Sequence, residues 1–458
     1  MKLVPLTTLA QLNPRQFTAP ATNEDPVSFV PMKAVEEETG RLDPTESRPW
    51  GQARKGYTPF QEGDVVFAKI TPCMENGKYA VAKGLVGGRA VGSTELFVIR
   101  PGASLDAKYL LHFLFSAEVR RAAKANMRGA AGQLRVPLSF FQNLAVPFVD
   151  LETQRLVVKE IDRHVSCLRT GVAALERVRA NLKRYRAAVL KAACEGTLVP
   201  TEAELAHAEG RDYESGGQLV ERILTDRRES WTGKGNYKTP APPKSADCGK
   251  IPPGWAWASL VQLTEANRAC AYGVLQPGKD RDDGIALVRV GDVNNGKVDT
   301  TELKRISPTI AARYPRTTLR GGELLISLVG AIGRTAIAPK SLAGANTARA
   351  IGVIPLVTTI DAAFVEIWFR NPAKIAAMTS QAHEVARKTL NLEDVRVATV
   401  AVPPLAEQHR IVAEVERQLS VIDELETLVE TNLARAGRLR QSILIKAFSG
   451  ELVPEEAC

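Results

Sequence analysis

LETQRLVVKEIDRHVSCLRTGVAALERVRANLKRYRAAVLKAACEGTLVP, residues 151–200, returns later in the chain as LAEQHRIVAEVERQLSVIDELETLVETNLARAGRLRQSILIKAFSGELVP, residues 405–454. A constant offset of 254, with no gap, sets Leu151 on Leu405, Gln154 on Gln408, Glu160 on Glu414 and Arg163 on Arg417. It also sets Ser166 on Ser420, Glu176 on Glu430, Arg184 on Arg438, Arg186 on Arg440, Leu190 on Leu444 and Ala193 on Ala447. The tail residues Gly196, Leu198, Val199 and Pro200 fall on Gly450, Leu452, Val453 and Pro454. Chance does not hold register over so long a stretch, so the chain reads as an internal duplication.

Each copy predicts one long helix. In the first, Ile161, Val165, Leu168, Val172 and Leu175 recur at alternating steps of four and three, the apolar seam of a coiled coil. In the second, Val415, Leu419, Ile422 and Val429 take matching places, with Glu426 interrupting. Both copies begin just after prolines (Pro147; Pro403 and Pro404) and end at a glycine, the expected start and stop marks. About 45 residues at ~1.5 Å rise give a rod of roughly 65–70 Å. A helix of that length with a single apolar stripe needs a partner, and its own duplicate is the nearest.

Around these rods the chain has material for several domains. It holds 458 residues, 45% hydrophobic and 24% charged, as expected of an ordinary globular protein. No apolar run approaches the length of a membrane span, and the N-terminus lacks the apolar core of a signal peptide, which predicts a cytoplasmic protein with no membrane role. The cysteines (Cys73, Cys167, Cys194, Cys248, Cys270 and Cys458) are scattered without a C-x-x-C pair, and no two histidines stand at H-x-x-x-H spacing. A disulfide framework and a zinc site are both disfavoured. The formal charge is +9. Residues 1–150 carry a net +4 and residues 251–403 a net +5, so the excess is spread over both large segments. A polyanionic partner fits that distribution, because each neutralised phosphate releases counterions.

Residues 1–150 read as a mixed α/β domain. Strands are predicted at 63–70, 78–84 and 95–101, and an amphipathic helix at 108–127 with Leu110, Leu111, Phe113 and Leu114 inward. A glycine-marked loop at 128–136 then leads to the first rod. Residues 213–231 predict a short helix, and 232–250, rich in Gly, Pro and Lys, an exposed linker. Residues 251–403 repeat the plan. IPPGWAWASL opens the segment with Trp255 and Trp257 alternating as on a strand, 285–298 gives a strand and turn, and 321–339 matches the strand–loop–strand of 63–83. Residues 363–378 answer the 108–127 helix, and 387–405 lead into the second rod. The chain is globule, rod, globule, rod.

In that order the motifs resemble the specificity (S) subunit of Type I restriction-modification systems, over essentially the whole chain. The resemblance rests on P-P-L-A-E-Q at Pro403–Gln408, its counterpart P-F-V-D-L-E-T-Q at Pro147–Gln154 and the A-F-x-G-x-L-V tail at Ala447–Val453. I-P-P-G-W at the entry to the second globule and G-D-V-V-F-A-K-I-T-P in the first add to it. The first rod departs from the family's usual P-P-L-x-E-Q in having Val149 and Asp150 where prolines are common. The resemblance implies an α/β (α+β) fold in which two target recognition domains are separated by two long antiparallel helices forming a coiled coil, with internal pseudo-twofold duplication. Its parts would be target recognition domain 1 (1–149), conserved helical region 1 (150–200), a short helix and linker (201–250), target recognition domain 2 (251–403) and conserved helical region 2 (404–454). Each domain would read one half of a bipartite, asymmetric site on double-stranded DNA, and the paired helices would fix the gap. The helices would also dock two modification (M) subunits, which bind S-adenosylmethionine and methylate adenine, and restriction (R) subunits would add an ATP- and Mg-dependent translocating nuclease. This chain itself would bind no cofactor and no metal.

The residues agree that the chemistry lies elsewhere. An amino-methyltransferase needs a [DNS]-P-P-[FYW] loop around a flipped base, and the Pro-Pro pairs here are APPK, IPPG and VPPL. No G-x-x-x-x-G-K-[ST] loop is present for ATP. The competing readings are a self-sufficient methyltransferase or nuclease, and a coiled-coil scaffold without a DNA role. For DNA contact, Arg, Lys, Asn or Gln must reach base edges while other polar groups hold the backbone. The candidates in the first globule are Arg54, Lys55, Tyr57, Lys69, Thr71, Asn76, Lys78, Tyr79, Arg128 and Arg135. In the second they are Arg281, Arg313, Tyr314, Arg316, Ser327, Arg334, Asn346, Arg349 and Lys388.

Overall fold

The structure is a computed structural model that describes residues 1–44, 46–130, 132–244, 248–380, 383–385 and 387–453, with backbone alone at 378–380, 383–385 and 387–388. It divides into two compact units, Met1–Arg177 with Val429–Cys458, and Val178–Leu428. The two long helices are Leu151–Glu195 and Leu405–Ser449, each of 45 residues. Both stop where the sequence places glycine, and Gly196 and Gly450 adopt φ of 67° and 91°, a backbone that a side chain would strain.

Each unit holds a globule and one half of each long helix. In the first unit the N-terminal half of the first helix lies with the C-terminal half of the second; in the second unit the halves are exchanged, so the pairing is antiparallel. The first unit buries Val157, Val158 and Ile161 from one helix and Ile443, Leu444 and Ala447 from the other in a core shared with the globule. Val165 and Leu168 flank that core, and Val172 and Leu175 line a groove beside it. Phe448 sits edge-on to Tyr109 and Phe113, with centroids 5.2 and 5.3 Å away. In the second unit Val415, Leu419 and Ile422 are buried, as is Val429 at the end of the first unit's helix half. Glu426, which breaks the apolar seam, has a partner there: Arg186 donates to Glu426 Oε2 at 3.0 Å and to Asp423 Oδ1 at 2.5 Å.

The globules share a plan. In the first, an antiparallel sheet runs Ala10–Leu12, Leu96–Pro101, Val65–Ala68, Tyr79–Val81, and in the second Ala271–Tyr272, Ile351–Ile354, Leu324–Ser327, Thr335–Ile337. Both central strands, VVFA and LLIS, are buried along their whole length, which is why they read as continuous apolar runs. A second sheet in the first unit orders Glu46–Pro49, Pro26–Val30, Arg89–Gly92 and Thr58–Gln61. The strand before each long helix pairs antiparallel with the first strand of its own globule. Lys2 faces Phe148 and Pro5 faces Ala145, while Ala256 faces Val402 and Ser259 faces Thr399. These registers repeat at the same offset of 254.

The helix expected at 108–127 is two, Ala107–Leu114 and Ala117–Ala125. Ser116 intervenes, its hydroxyl accepting from the Val119 amide to cap the second. The counterpart breaks likewise into Ala362–Arg370 and Pro372–Ser380, where proline opens the second piece because it has no amide to offer the preceding turn. Glu202–Glu209, an additional helix, starts from a capping box between Thr201 and Glu204.

Candidate nucleic-acid interface

In the first unit the central strand Val65–Ala68 ends in a loop, 69–78, that is stitched to the 128–136 loop by backbone bonds. Thr71 N donates to Leu134 O at 3.0 Å, Val136 N to Lys69 O at 2.8 Å, and Arg128 and Arg135 exchange bonds of 2.9 Å. Lys69, Thr71, Arg128 and Arg135 are thereby brought into one loop cluster. Arg135 is already engaged: its guanidinium grips Glu95, with Nε to Oε2 at 2.9 Å and Nη2 to Oε1 at 2.8 Å. That bond holds the Glu95 carboxyl below its usual range. Asn76 donates to Glu37 at 3.0 Å, and Lys78 donates to the Met32 carbonyl at 3.4 Å. Thr71 donates to Glu75 at 3.1 Å.

Arg54, Lys55 and Tyr57 lie in the turn between the short helix Trp50–Ala53 and the second sheet's strand Thr58–Gln61. Tyr57 packs edge-on to Phe29 at 5.1 Å, and Arg48 lies 3.7 Å over the Phe29 ring. Arg54, Lys55 and Arg128 are exposed and make no side-chain bond or ion pair among the described residues.

In the second unit a groove of about 920 Å³ runs beside the Tyr314–Thr317 loop, and Arg313, Tyr314, Arg316 and Arg396 line it. Arg313 and Arg316 are exposed, while Tyr314 rests on the cluster of Val274, Leu287 and Ile306. The sequence reading missed Tyr272, which lines the same groove. It is 44% exposed, and its hydroxyl accepts from the Leu392 amide at 2.8 Å, so an anchored ring faces solvent. Arg334 and Arg349 are exposed as well, whereas Arg281 is tied to Asp283 at 3.0 Å.

Three candidates are corrected by burial. Tyr79 is 0% exposed, stacked 4.0 Å from Phe67 with its hydroxyl donating to Met74 O at 2.6 Å. Ser327 is buried and spends its hydroxyl on the Ala331 carbonyl and the Arg334 amide. Asn346, also buried, accepts from Thr317 Oγ1 at 2.6 Å and donates to Tyr314 O at 3.2 Å, and so shapes the loop that carries Arg313 and Arg316. None of the three can reach a surface ligand. Lys388 has its side chain outside the described residues.

Among the described residues no group of His, Cys, Asp and Glu is placed to hold a metal ion, and no helix is long and apolar enough to cross a membrane.

The family described as the Type I restriction modification DNA specificity domain matches residues 277–432. The specificity subunit of the Escherichia coli Type I restriction enzyme EcoBI is 35% identical over 315 residues, covering 69% of this chain and 60% of that protein. The chain is thus similar to Type I restriction enzyme specificity subunits. The E. coli EcoEI specificity subunit is 25% identical over 480 residues, which cover 93% of this chain and 79% of that protein. The match thus spans less than two thirds of the EcoBI subunit and more than three quarters of the EcoEI subunit. A solved chain from a structure of an assembled type I R-M system matches in fold, with a TM-score of 0.59, 19% identity and 98% of both chains covered. That likeness in fold spans both globules and both helices.

Proposed function

We propose that this chain is the non-catalytic DNA-reading subunit of a Type I restriction-modification complex, each globule reading one half of a bipartite site on double-stranded DNA. The observation that carries the reading is that each globule shares its unit with halves of the same two long helices. Two readers built on one helix pair can hold two half-sites in fixed phase on a duplex whose turn is about 34 Å, where a flexible linker could not. Arg54, Lys55 and Arg128, and then Arg313, Arg316, Arg334 and Arg349, are exposed cations free to meet phosphates and base edges. Tyr272 offers a flat face beside two of them.

In this reading the helices set the gap and dock two modification subunits, which supply S-adenosylmethionine and the methyl transfer. Restriction subunits supply ATP, Mg and cleavage. This chain binds no cofactor and works in the cytoplasm. The test is co-expression with the modification subunit and mapping of methylated adenines in genomic DNA. Methylation at one bipartite sequence is expected, and it should vanish when this chain is omitted. Methyl transfer to DNA by this chain alone, or a complex that methylates without it, would refute the proposal.

A further inference from the structure

Two buried glutamines stand at the same place in the two units. Gln154 and Gln408 lie in the first turn of the two long helices, 254 residues apart, and both are 0% exposed. Gln154 Oε1 accepts the Asp106 amide at 2.8 Å, while its Nε2 donates to Ser104 O at 2.9 Å and Val149 O at 2.8 Å. Gln408 Oε1 accepts the Asp361 amide at 2.9 Å, and its Nε2 donates to Pro403 O at 2.8 Å. Asp106 and Asp361 are the N-caps of the globule helices Ala107–Leu114 and Ala362–Arg370, and their carboxylates accept the amides of Lys108 and Tyr109, and of Ala363. In both units a side chain from the long helix completes the cap of the globule helix. It supplies an acceptor for the aspartate's own backbone amide, which the aspartate carboxylate does not serve.

The geometry points to Gln154 and Gln408 as positioning residues that fix the angle of each globule on its own stretch of long helix, and so set the half-site spacing the subunit accepts. The apolar contacts between globule and helix resist separation but are non-directional, so orientation falls to the polar bonds across them. These include the glutamine bonds in both units, with Lys108 and His112 on Asp162 in the first and Trp255 Nε1 on Glu407 at 2.8 Å in the second. The glutamine bonds are directional and sealed from water. Rolling of a globule on its helix would leave a buried donor or acceptor unmet, with no solvent to replace the partner. The link to spacing rests on the DNA-reading proposal above; the clamp does not.

The test uses the complex of the full chain with its modification subunits, in wild-type form and carrying Gln154→Leu, Gln408→Leu or both. Gln262→Leu, which removes a buried glutamine whose side chain, among the described residues, bonds only the nearby Ser259, is the control for simple destabilisation. Amide exchange at Asp106 or Asp361 should accelerate by about thirtyfold or more in the matching variant, with the Val65–Ala68 and Leu324–Ser327 strands still protected. Binding to DNAs in which the two half-sites are separated by varied lengths should show one preferred spacing for wild type and control. The glutamine variants should accept one base pair more or less within roughly tenfold of the best, with base preference in each half-site unchanged. Unchanged exchange would overturn the clamp. Accelerated exchange with the wild-type spacing profile, or a profile broadened equally by the control, would overturn its role in spacing. A wild-type complex that bound no bipartite DNA would overturn the functional reading and the spacing role together, and exchange would still decide the clamp.

Discussion

Arg268 and Glu323 form the most enclosed ion pair of the second unit, with side chains 9% and 2% exposed. Arg268 Nη1 meets Glu323 Oε1 at 2.6 Å, and Nη2 donates to Thr318 O at 2.8 Å. The carboxylate also accepts the Arg320 amide at 2.6 Å and the Gly321 amide at 2.9 Å, fixing the turn that feeds the central strand. Arg268→Leu would strand that carboxylate in the interior, a change that costs about 3–5 kcal/mol. For a unit of this size the cost corresponds to a fall of roughly 6–20 °C in melting temperature. Four of the five tryptophans, Trp231, Trp255, Trp257 and Trp368, lie in this unit, so tryptophan fluorescence during urea unfolding follows it selectively. Glu323→Leu should cost a similar amount by leaving a guanidinium and two amides unmet. The double variant should lose clearly less than the sum of the singles, with a coupling of at least about 1.5 kcal/mol. Additive losses, or a cost below about 1 kcal/mol for Arg268→Leu, would refute the claim that the pair is linked and desolvated. The first unit builds its turn the same way, with Asp64 held by Arg100 at 2.8 and 2.9 Å.

Tyr79→Phe should leave DNA affinity unchanged and cost about 1 kcal/mol or somewhat more through the lost bond to Met74 O, whereas Arg54→Ala or Arg316→Ala should weaken binding and lower the salt slope by about one unit each. Measuring affinity across a salt series separates the two outcomes. Burial holds the Glu366 carboxyl above the usual glutamate range despite Arg370 and the Thr335 hydroxyl. Its contribution to stability is therefore full below the unfolded-state value and declines as pH rises through the folded one. Glu366→Gln should accordingly gain on wild type between pH 4 and about pH 7, as read by unfolding at both ends of that range. Hydrogen bonds from His112 and Lys108 depress Asp162 to about 2, so the reverse sign applies: its contribution is present above the ordinary aspartate value and disappears as pH falls toward 2. Asp162→Asn should flatten the acid limb of first-unit stability, and an unchanged limb would count against the pairing. Removing seven residues from the first long helix should keep helical phase on the protein yet shift the accepted half-site spacing, which binding to DNAs of varied spacing would report.

Much of the fold was legible because long helices announce themselves. Forty-five residues of one apolar stripe between prolines and a glycine leave little choice, and the duplicate removes more. The capping box Thr201 to Glu204 was equally readable as a helix start, although no helix was expected there. The contact surface was less legible for a specific reason. Tyr79 reads as a contact candidate beside Lys78, but the short strand it opens is buried on both faces, and its hydroxyl finds a carbonyl. Ser327 and Asn346 are polar residues whose partners are backbone groups and side chains remote in sequence or hidden in a loop, so composition cannot separate them from surface readers. Tyr272 escaped for the opposite reason, because ACAYG has no periodicity and only the approach of Leu392 makes the ring a fixed platform.

The core of the first globule includes Ile443, Leu444 and Ala447, with Phe448 set against Tyr109 and Phe113. A ribosome delivers those four side chains more than three hundred residues after Tyr109. The half that emerges first is therefore the half that finishes last, and until residue 448 has been made Tyr109 and Phe113 stay open to chaperones or to a neighbouring nascent chain.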